Sequence, residues 1–191
     1  MSDPALIEGR GLGAVRGERV LFQDVSLALH RGDGLVLRGA NGSGKTTLLR
    51  QLAGLSEPQA GSVQRHASHH WIGHTNGLKP HETARSHLAH WARVWGSNVD
   101  VDEVLERMAM RRPADVPSRM LSAGQKRRTA LGRLLLVARD VWLLDEPFNA
   151  LDADGQTVLA GMIKVHRAGG GAVSAALHGT APIEISGEVK L

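Results

Sequence analysis

The stretch that decides the fold runs from Leu37 to Arg50 and reads LRGANGSGKTTLLR. Glycines at 39, 42 and 44 lead into Lys45-Thr46, which satisfies the pattern G-x-x-x-x-G-K-[ST]. The apolar run GLVLRG precedes it, and Leu48, Leu49 and Leu52 follow at the spacing of a helix with one buried face, stopping near Gly54. Strand, glycine-rich loop and helix form the context that gives this pattern its chemical meaning. The glycines let backbone amides wrap a β-phosphate, Lys45 reaches the β- and γ-phosphates, and the Thr46 hydroxyl suits Mg2+.

Working outward, ALIEGRGL and RVLFQDVSLAL read as strands, with turns at GERV and HRGDG. SEPQAGS is a loop, followed by a weak strand around Val63 and another at HWIG. From Thr83 to Met110 the period becomes helical, with Leu88, Trp91 and Trp95 on one face and Val101, Val104, Leu105 and Met108 on the next. RRPADVP breaks that run, and a further helix is predicted from Ser122 to Val137. DVWLLDEP is a short apolar strand, Asp154 to Arg167 a helix, and AVSAAL a strand. The order predicts one α/β domain over residues 1–191, a P-loop NTPase with a mostly parallel core sheet. An N-terminal antiparallel β region and an inserted helical lobe at about residues 83–137 complete it.

Composition sets the bounds. A chain of 191 residues with 42% hydrophobic and 22% charged side chains can bury a proper core. The absence of cysteine excludes disulfides and thiolate zinc sites. No apolar run approaches the roughly 20 residues needed to span a bilayer, and MSDPALIEGRG does not read as a signal peptide. A membrane role would therefore come through a partner. The net charge of +4 reads as a solvated basic surface beside a nucleotide site. Aromatics at 3%, with no tyrosine, argue against a base-stacking nucleic-acid binder.

A second helix start also invites an anion. In RMLSAGQKRR, Arg119 to Arg128, the small residues Ser122, Ala123 and Gly124 leave the first amides approachable. In VWLLDEP, Asp145 and Glu146 sit at the end of a buried strand. Asp145 is placed to hold Mg2+ through its water shell, and Glu146 to polarise an attacking water. Taken alone, the two carboxylates could equally cap the next turn, and a lone histidine such as His178 is more often structural.

The order of motifs removes that ambiguity. GANGSGKTT, LSAGQ, LLDEP, NALD and then His178 resemble, over essentially the whole chain, the ATP-binding subunits of ABC transporters. The resemblance implies ATP and Mg2+ as ligands, with Gly39, Ala40, Asn41, Gly42, Ser43, Gly44, Lys45, Thr46 and Thr47 around the phosphates. It implies Thr46 and Asp145 at the metal, and Glu146 and His178 in catalysis, His178 on the γ-phosphate. LSAGQ then supplies a signature motif, Ser122, Ala123, Gly124 and Gln125, and Asn149 to Asp152 a D-loop. Such subunits pair head to tail, so the signature helix acts on the ATP held by a second copy.

Some positions depart from that pattern. Arg16 stands where many members stack an aromatic ring on adenine, and a guanidinium plane can stack there instead. His74 occupies the hinge where a glutamine is usual, and Ala123 replaces a commoner glycine. With WIGHTNGLK, LSAGQKRR and WLLDEPFNALD, these features resemble the ATPases of cytochrome c maturation that serve haem export. That group shares the hinge histidine but usually has Gln-Pro where this chain has Thr75-Asn76. The resemblance implies a peripheral subunit on the cytoplasmic face of a bacterial inner membrane, docked on partners of the CcmB, CcmC and CcmD type, with no nucleic acid. His69, His70, His74, His87 and His90 read as surface side chains, and haem is not expected to bind this chain. A chromosome ATPase would need a long coiled coil between Lys45 and Ser122, and a translation factor two cassettes. An exporter subunit with another cargo, such as lipid or lipoprotein, stays open, because the membrane partner chooses the cargo.

Overall fold

The computed structural model describes residues 4–179 and 182–191. Two sheets form. Strands β1 (Ile7–Arg16), β2 (Arg19–Leu29) and β4 (Ala60–Arg65) make an antiparallel sheet in the order β2-β1-β4. Strands β3 (Gly34–Arg38), β5 (His69–Ile72), β6 (Val141–Asp145), β7 (Ala172–Ala176) and β8 (Gly187–Lys190) make a parallel sheet in the order β5-β6-β7-β3-β8. Every residue of β6 and β7 is buried, which is why both read as unbroken apolar or small-residue runs rather than alternating ones.

Helix α1 (Lys45–Leu52) packs against β1 and β4 of one sheet and β6 and β7 of the other. Leu48, Leu49 and Leu52 are fully buried there, in one core with Ile7, Leu12, Leu29 and Leu143. Strand order then does the positioning. Strands β6, β7 and β3 are neighbours and run the same way, so the segments following Asp145, Ala176 and Arg38 emerge at one edge of the sheet. Ligand sites of open parallel sheets form at such carboxyl ends. Strand β8, which the sequence reading omits, extends the sheet by pairing Leu35↔Gly187 through Arg38↔Lys190.

The chain divides into two compact units, the first comprising residues up to Gly73, Arg139–Glu146 and Ile163–Leu191. The second comprises His74–Ala138 and Pro147–Met162, and holds helices α2 (Ala84–Trp95), α3 (Val101–Arg107) and α4 (Ala123–Gly132). Helix α5 (Ala153–Ala168) belongs to the second unit as far as Met162. Thr83 starts α2 with a capping box to Ser86, and Ser122 starts α4 with one to Gln125. The core of this unit holds Leu88, Val104, Leu105, Met110 and Leu131, with Leu88 and Val104 closing on Gly132. Helix α4 is shorter than predicted: it ends at Gly132, and Arg133–Leu135 tighten into a 3-10 turn instead of continuing to Val137. Trp91 and Trp95 are half-buried, their rings 4.9 Å apart, and the Arg133 guanidinium lies 5.6 Å from the Trp91 ring centre. Burial lowers Arg133 to about 10, so it stays charged at neutral pH.

The expectation of surface histidines fails at two positions. His70 is 3% exposed, on β5 beside β6, and His87 is 2% exposed, on the same side of α2 as Ala84 and Leu88. His87 Nδ1 lies 2.9 Å from Glu82 Oε2, while Nε2 is buried without a hydrogen-bond partner among the described residues. Burial pushes the His87 imidazole below its ordinary 6.5, against the opposing pull of Glu82, and burial likewise lowers His69 and His166.

In the window between the lowered folded value of His87 and 6.5, the unfolded chain binds a proton that the folded chain does not. Stability is therefore lost as the pH falls through that window. Melting temperatures measured from pH 7.5 down to 5 should decline, and His87→Gln, which keeps a donor for Glu82 but does not titrate, should flatten the decline. Identical slopes for the two proteins would remove His87 from the pH dependence.

Candidate active site

The loop between β3 and α1 is built to leave donors unclaimed. Gly44, at the start of α1, sits at φ 108° and makes no side-chain cap. A Cβ at this position would lie 2.7 Å from the Phe22 ring, so Phe22 packs on the loop only because residue 44 is glycine. Ser43 Oγ is buried without a partner among the described residues. Lys45 is 6% exposed and folds back, its Nζ donating to the carbonyls of Gly39 at 2.8 Å and Ala40 at 3.0 Å. Ala40, Asn41, Gly42 and Thr46 face solvent, and Gly39 and Thr47 are half-buried. An uncapped helix start, an orphaned hydroxyl and a lysine resting on neutral carbonyls together fit a phosphate chain.

Thr46 Oγ1 donates to Asp145, 2.9 Å from Oδ2 and 3.1 Å from Oδ1. Asp145 is 1% exposed at the end of β6. A hydroxyl and a buried carboxylate are hard oxygen donors of the kind Mg2+ takes, so these two residues would hold that ion beside the phosphates.

One residue on, Glu146 adopts φ 49°, a left-handed backbone that a side chain rarely tolerates and that clusters at working sites. Its N–H donates to the Ala176 carbonyl at 3.1 Å, and its Oε1 lies 3.0 Å from His178 Nε2. The structure thus brings together Lys45 with the loop, Thr46 with Asp145, and Glu146 with His178, all at the carboxyl ends of three adjacent strands. Gly179, after His178, accepts from Arg38 Nη1, and Arg38 Nε donates to Glu188 at 2.8 Å.

Other predicted residues lie elsewhere. Arg16 is exposed at the end of β1, paired in register with Arg19. His74 is exposed, and it is the residue at which the second unit begins. Within that unit Ser122 and Ala123 are exposed, and Gly124 and Gln125 half-buried. Ser122 Oγ accepts from the Gln125 N–H at 3.2 Å, and Gln125 Oε1 from the Ser122 N–H at 2.9 Å. A Cβ on Gly124 would lie 2.7 Å from the Ala150 carbonyl, and Ala150 itself has φ 64°. The NALD loop and the start of α4 therefore touch backbone to side-chain-free backbone. Arg128 fastens them a turn further on, donating to Met108 O at 3.2 Å and Asp152 Oδ1 at 2.5 Å. Neither the Ala150 conformation nor the burial of Arg127 and Arg128 has a signal in the sequence, which shows only a run of cations.

Comparison with known proteins agrees with this geometry. The family model described as ABC transporter matches residues 22–149. In fold the chain is similar to an ABC transporter ATP-binding protein from Pyrococcus furiosus, with a TM-score of 0.80 at 20% identity, covering 97% of this chain and 96% of that one. It is also similar to the ATP-binding subunit of another ABC transporter, with a TM-score of 0.79 at 22% identity, covering 91% of this chain and 79% of that one. The fold, the loop and the matched family define an ATP-binding subunit of the ABC transporter class, an ATPase. The cytochrome c biogenesis ATP-binding export protein CcmA of Hyphomonas neptunium is 54% identical over 191 residues, 100% of this chain and 99% of that protein. The protein of the same name from Sphingopyxis alaskensis is 44% identical over 171 residues, 88% of this chain and 87% of its own. The chain belongs to this CcmA family.

If Thr46 and Asp145 hold a divalent ion, Asp145→Asn should weaken ATP binding about tenfold or more in magnesium. The same substitution should change ATP binding little in EDTA. A fluorescent ATP analogue titrated under both conditions checks this, and equal losses would overturn the metal-holding role.

Proposed function

We propose that this chain is the ATP-hydrolysing subunit of a membrane complex of cytochrome c biogenesis, driving haem export or the release of a haem-loaded chaperone. The reading is supported by the names of relatives that align along nearly its whole length. One geometric observation carries the chemistry: the Glu146–His178 pair, with Oε1 and Nε2 3.0 Å apart, stands on the strand ends beside the Thr46–Asp145 pair. No helix among the described residues is long and apolar enough to cross a membrane. In this reading, contact with the bilayer runs through partners. Those partners are integral membrane subunits of the CcmB, CcmC and CcmD type, met on the cytoplasmic face of the inner membrane.

Hydrolysis needs positioning and charge stabilisation more than covalent help from the protein. The Gly39–Thr47 loop presents amides to the phosphates, and Lys45 exchanges its two carbonyls for β- and γ-phosphate oxygens. Bound Mg2+ would neutralise charge on those oxygens from its place at Thr46 and Asp145. The Glu146 carboxylate accepts a hydrogen bond from the attacking water and aligns its lone pair with the γ-phosphorus. That water's oxygen bonds to phosphorus as the bond to the bridging oxygen breaks, and the proton leaves to the phosphate or to Glu146. His178, 40% exposed and paired with Glu146, donates to the γ-phosphate. Ser122 and the first amides of α4 complete the site of a second copy, on the far side of its γ-phosphate.

Glu146→Gln should leave ATP affinity within a few-fold of the parent and lower turnover by about a hundredfold or more. It should also trap an ATP-bound dimer visible by light scattering. Near-normal turnover would refute the role of Glu146.

Pairing between copies has its own test. Lys45→Ala damages the loop but keeps the signature helix, and Ser122→Arg does the reverse. In a mixed dimer one site receives both defects and the other neither. Mixing the two inactive proteins should therefore restore up to about half the activity per dimer. Heterodimers confirmed by differential tags yet fully inactive, or a fully active Ser122→Arg protein alone, would overturn a site shared between copies.

A further inference from the structure

The run Lys126-Arg127-Arg128 buries two of its three cations: Arg127 is 3% and Arg128 8% exposed. A buried guanidinium costs several kcal/mol in desolvation unless its donors are met, and an apolar side chain of the same volume would fill the space as well. What an arginine adds is direction, a fixed fork of donors. Arg128 spends its fork on Met108 and Asp152. Arg127 points at a different pair: Nε donates to the Pro147 carbonyl at 3.2 Å, and Nη1 donates to Asn76 Oδ1 at 3.3 Å.

Both acceptors sit at informative places in the chain. Pro147 directly follows Glu146, whose left-handed φ of 49° leaves its side-chain direction dependent on how its two flanking peptides are held. On one side the Glu146 N–H is fixed by the Ala176 carbonyl. On the other, the proline ring fixes φ at residue 147, so the Pro147 carbonyl, which belongs to the next peptide, stands only one rotatable bond from the Glu146–Pro147 peptide. Arg127 holds that carbonyl. Asn76 lies two residues beyond His74, in the loop that opens the second unit.

We infer that Arg127 is a positioning residue for ATP hydrolysis: it reads the setting of the His74–Asn76 loop through the Asn76 amide and fixes the Glu146 carboxylate through the Pro147 carbonyl. The inference rests on the reading of Glu146 as the group that aligns water. A displacement of the loop that pulls Asn76 away removes one of the acceptors that orient the Arg127 fork, and its hold on Pro147 relaxes with it. Chemistry is then slowed while nucleotide binding, which belongs to the Gly39–Thr47 loop, is untouched. A proline at position 76, with no side-chain acceptor, would not form this link.

The test uses the full-length chain and compares kcat with KM for ATP hydrolysis in Asn76→Ala, Asn76→Asp, Arg127→Met and Glu146→Gln proteins. Asn76→Ala should lower kcat about three- to tenfold with KM within about twofold, the signature of an interaction felt in the transition state. Asn76→Asp, which keeps an oxygen acceptor, should restore most of that loss. Arg127→Met should lower kcat at least about tenfold. In single-turnover measurements on a Glu146→Gln background, Arg127→Met should add no further loss. If Arg127→Met does not fold, the half-buried Asn76 pair of variants decides alone. Equal kcat in Asn76→Ala and the parent, a change confined to KM, or multiplicative losses with Glu146→Gln would each overturn the inference. Full turnover in Glu146→Gln would instead overturn the reading of Glu146, and this inference with it.

Discussion

Helix α1 is only eight residues long, and a helix that short does not persist by itself in water. It exists because Leu48, Leu49 and Leu52 are removed from solvent between two sheets. Burying three leucines contributes on the order of 5–9 kcal/mol, which offsets a large part of the roughly 8–16 kcal/mol that ordering the eight helix residues costs. That packing decides where the helix begins, and so where its first amides, Lys45 and Thr46 stand relative to the strand ends. The Thr46–Asp145 bond follows from it, since Asp145 ends the neighbouring buried strand. The pairing of β6 with β7 then places Glu146 next to His178.

The parts legible in the sequence are those whose chemistry is written in contiguous residues. GANGSGKTT needs its glycines and lysine at fixed spacing for a local reason, and the apolar strand before Asp145 is long enough to be unmistakable. The parts that escaped depend on what lies across the fold. Strand β8 is four residues, GEVK, too short for its alternation to announce it; its backbone pairing with β3 makes it a strand. His87 gives no sign in sequence that Glu82 will accompany it indoors. Helix α4 stops at Gly132, where Leu88 and Val104 close in, although the residues beyond are adequate helix formers.

The second unit shows the same division of labour between visible motif and hidden support. Ser122 and Gln125 cap each other, so the helix start is already rigid before anything binds. Gly124 admits the Ala150 carbonyl, and Arg128 ties Asp152, which also receives the Gly155 N–H. The signature helix and the NALD loop are thus one mechanical piece. Small residues in both stretches serve close approach, a purpose distinct from phosphate binding and invisible when each motif is read alone.

The uncapped start of α1 has a consequence for the lifetime of the folded chain. Without a ligand the fold carries helix amides with no side-chain cap and a buried Ser43 hydroxyl with no partner among the described residues. Any phosphate compound that meets those groups binds the native state and not the unfolded one. At a hundred times its dissociation constant such a ligand adds about 2.7 kcal/mol to stability, a sizeable share of what a domain possesses. Proteolysis that proceeds through the open chain would slow by roughly a hundredfold in the loaded protein. The lifetime of this subunit is in that sense tied to its occupancy by nucleotide, ADP as well as ATP: an empty loop is what exposes the engine to turnover.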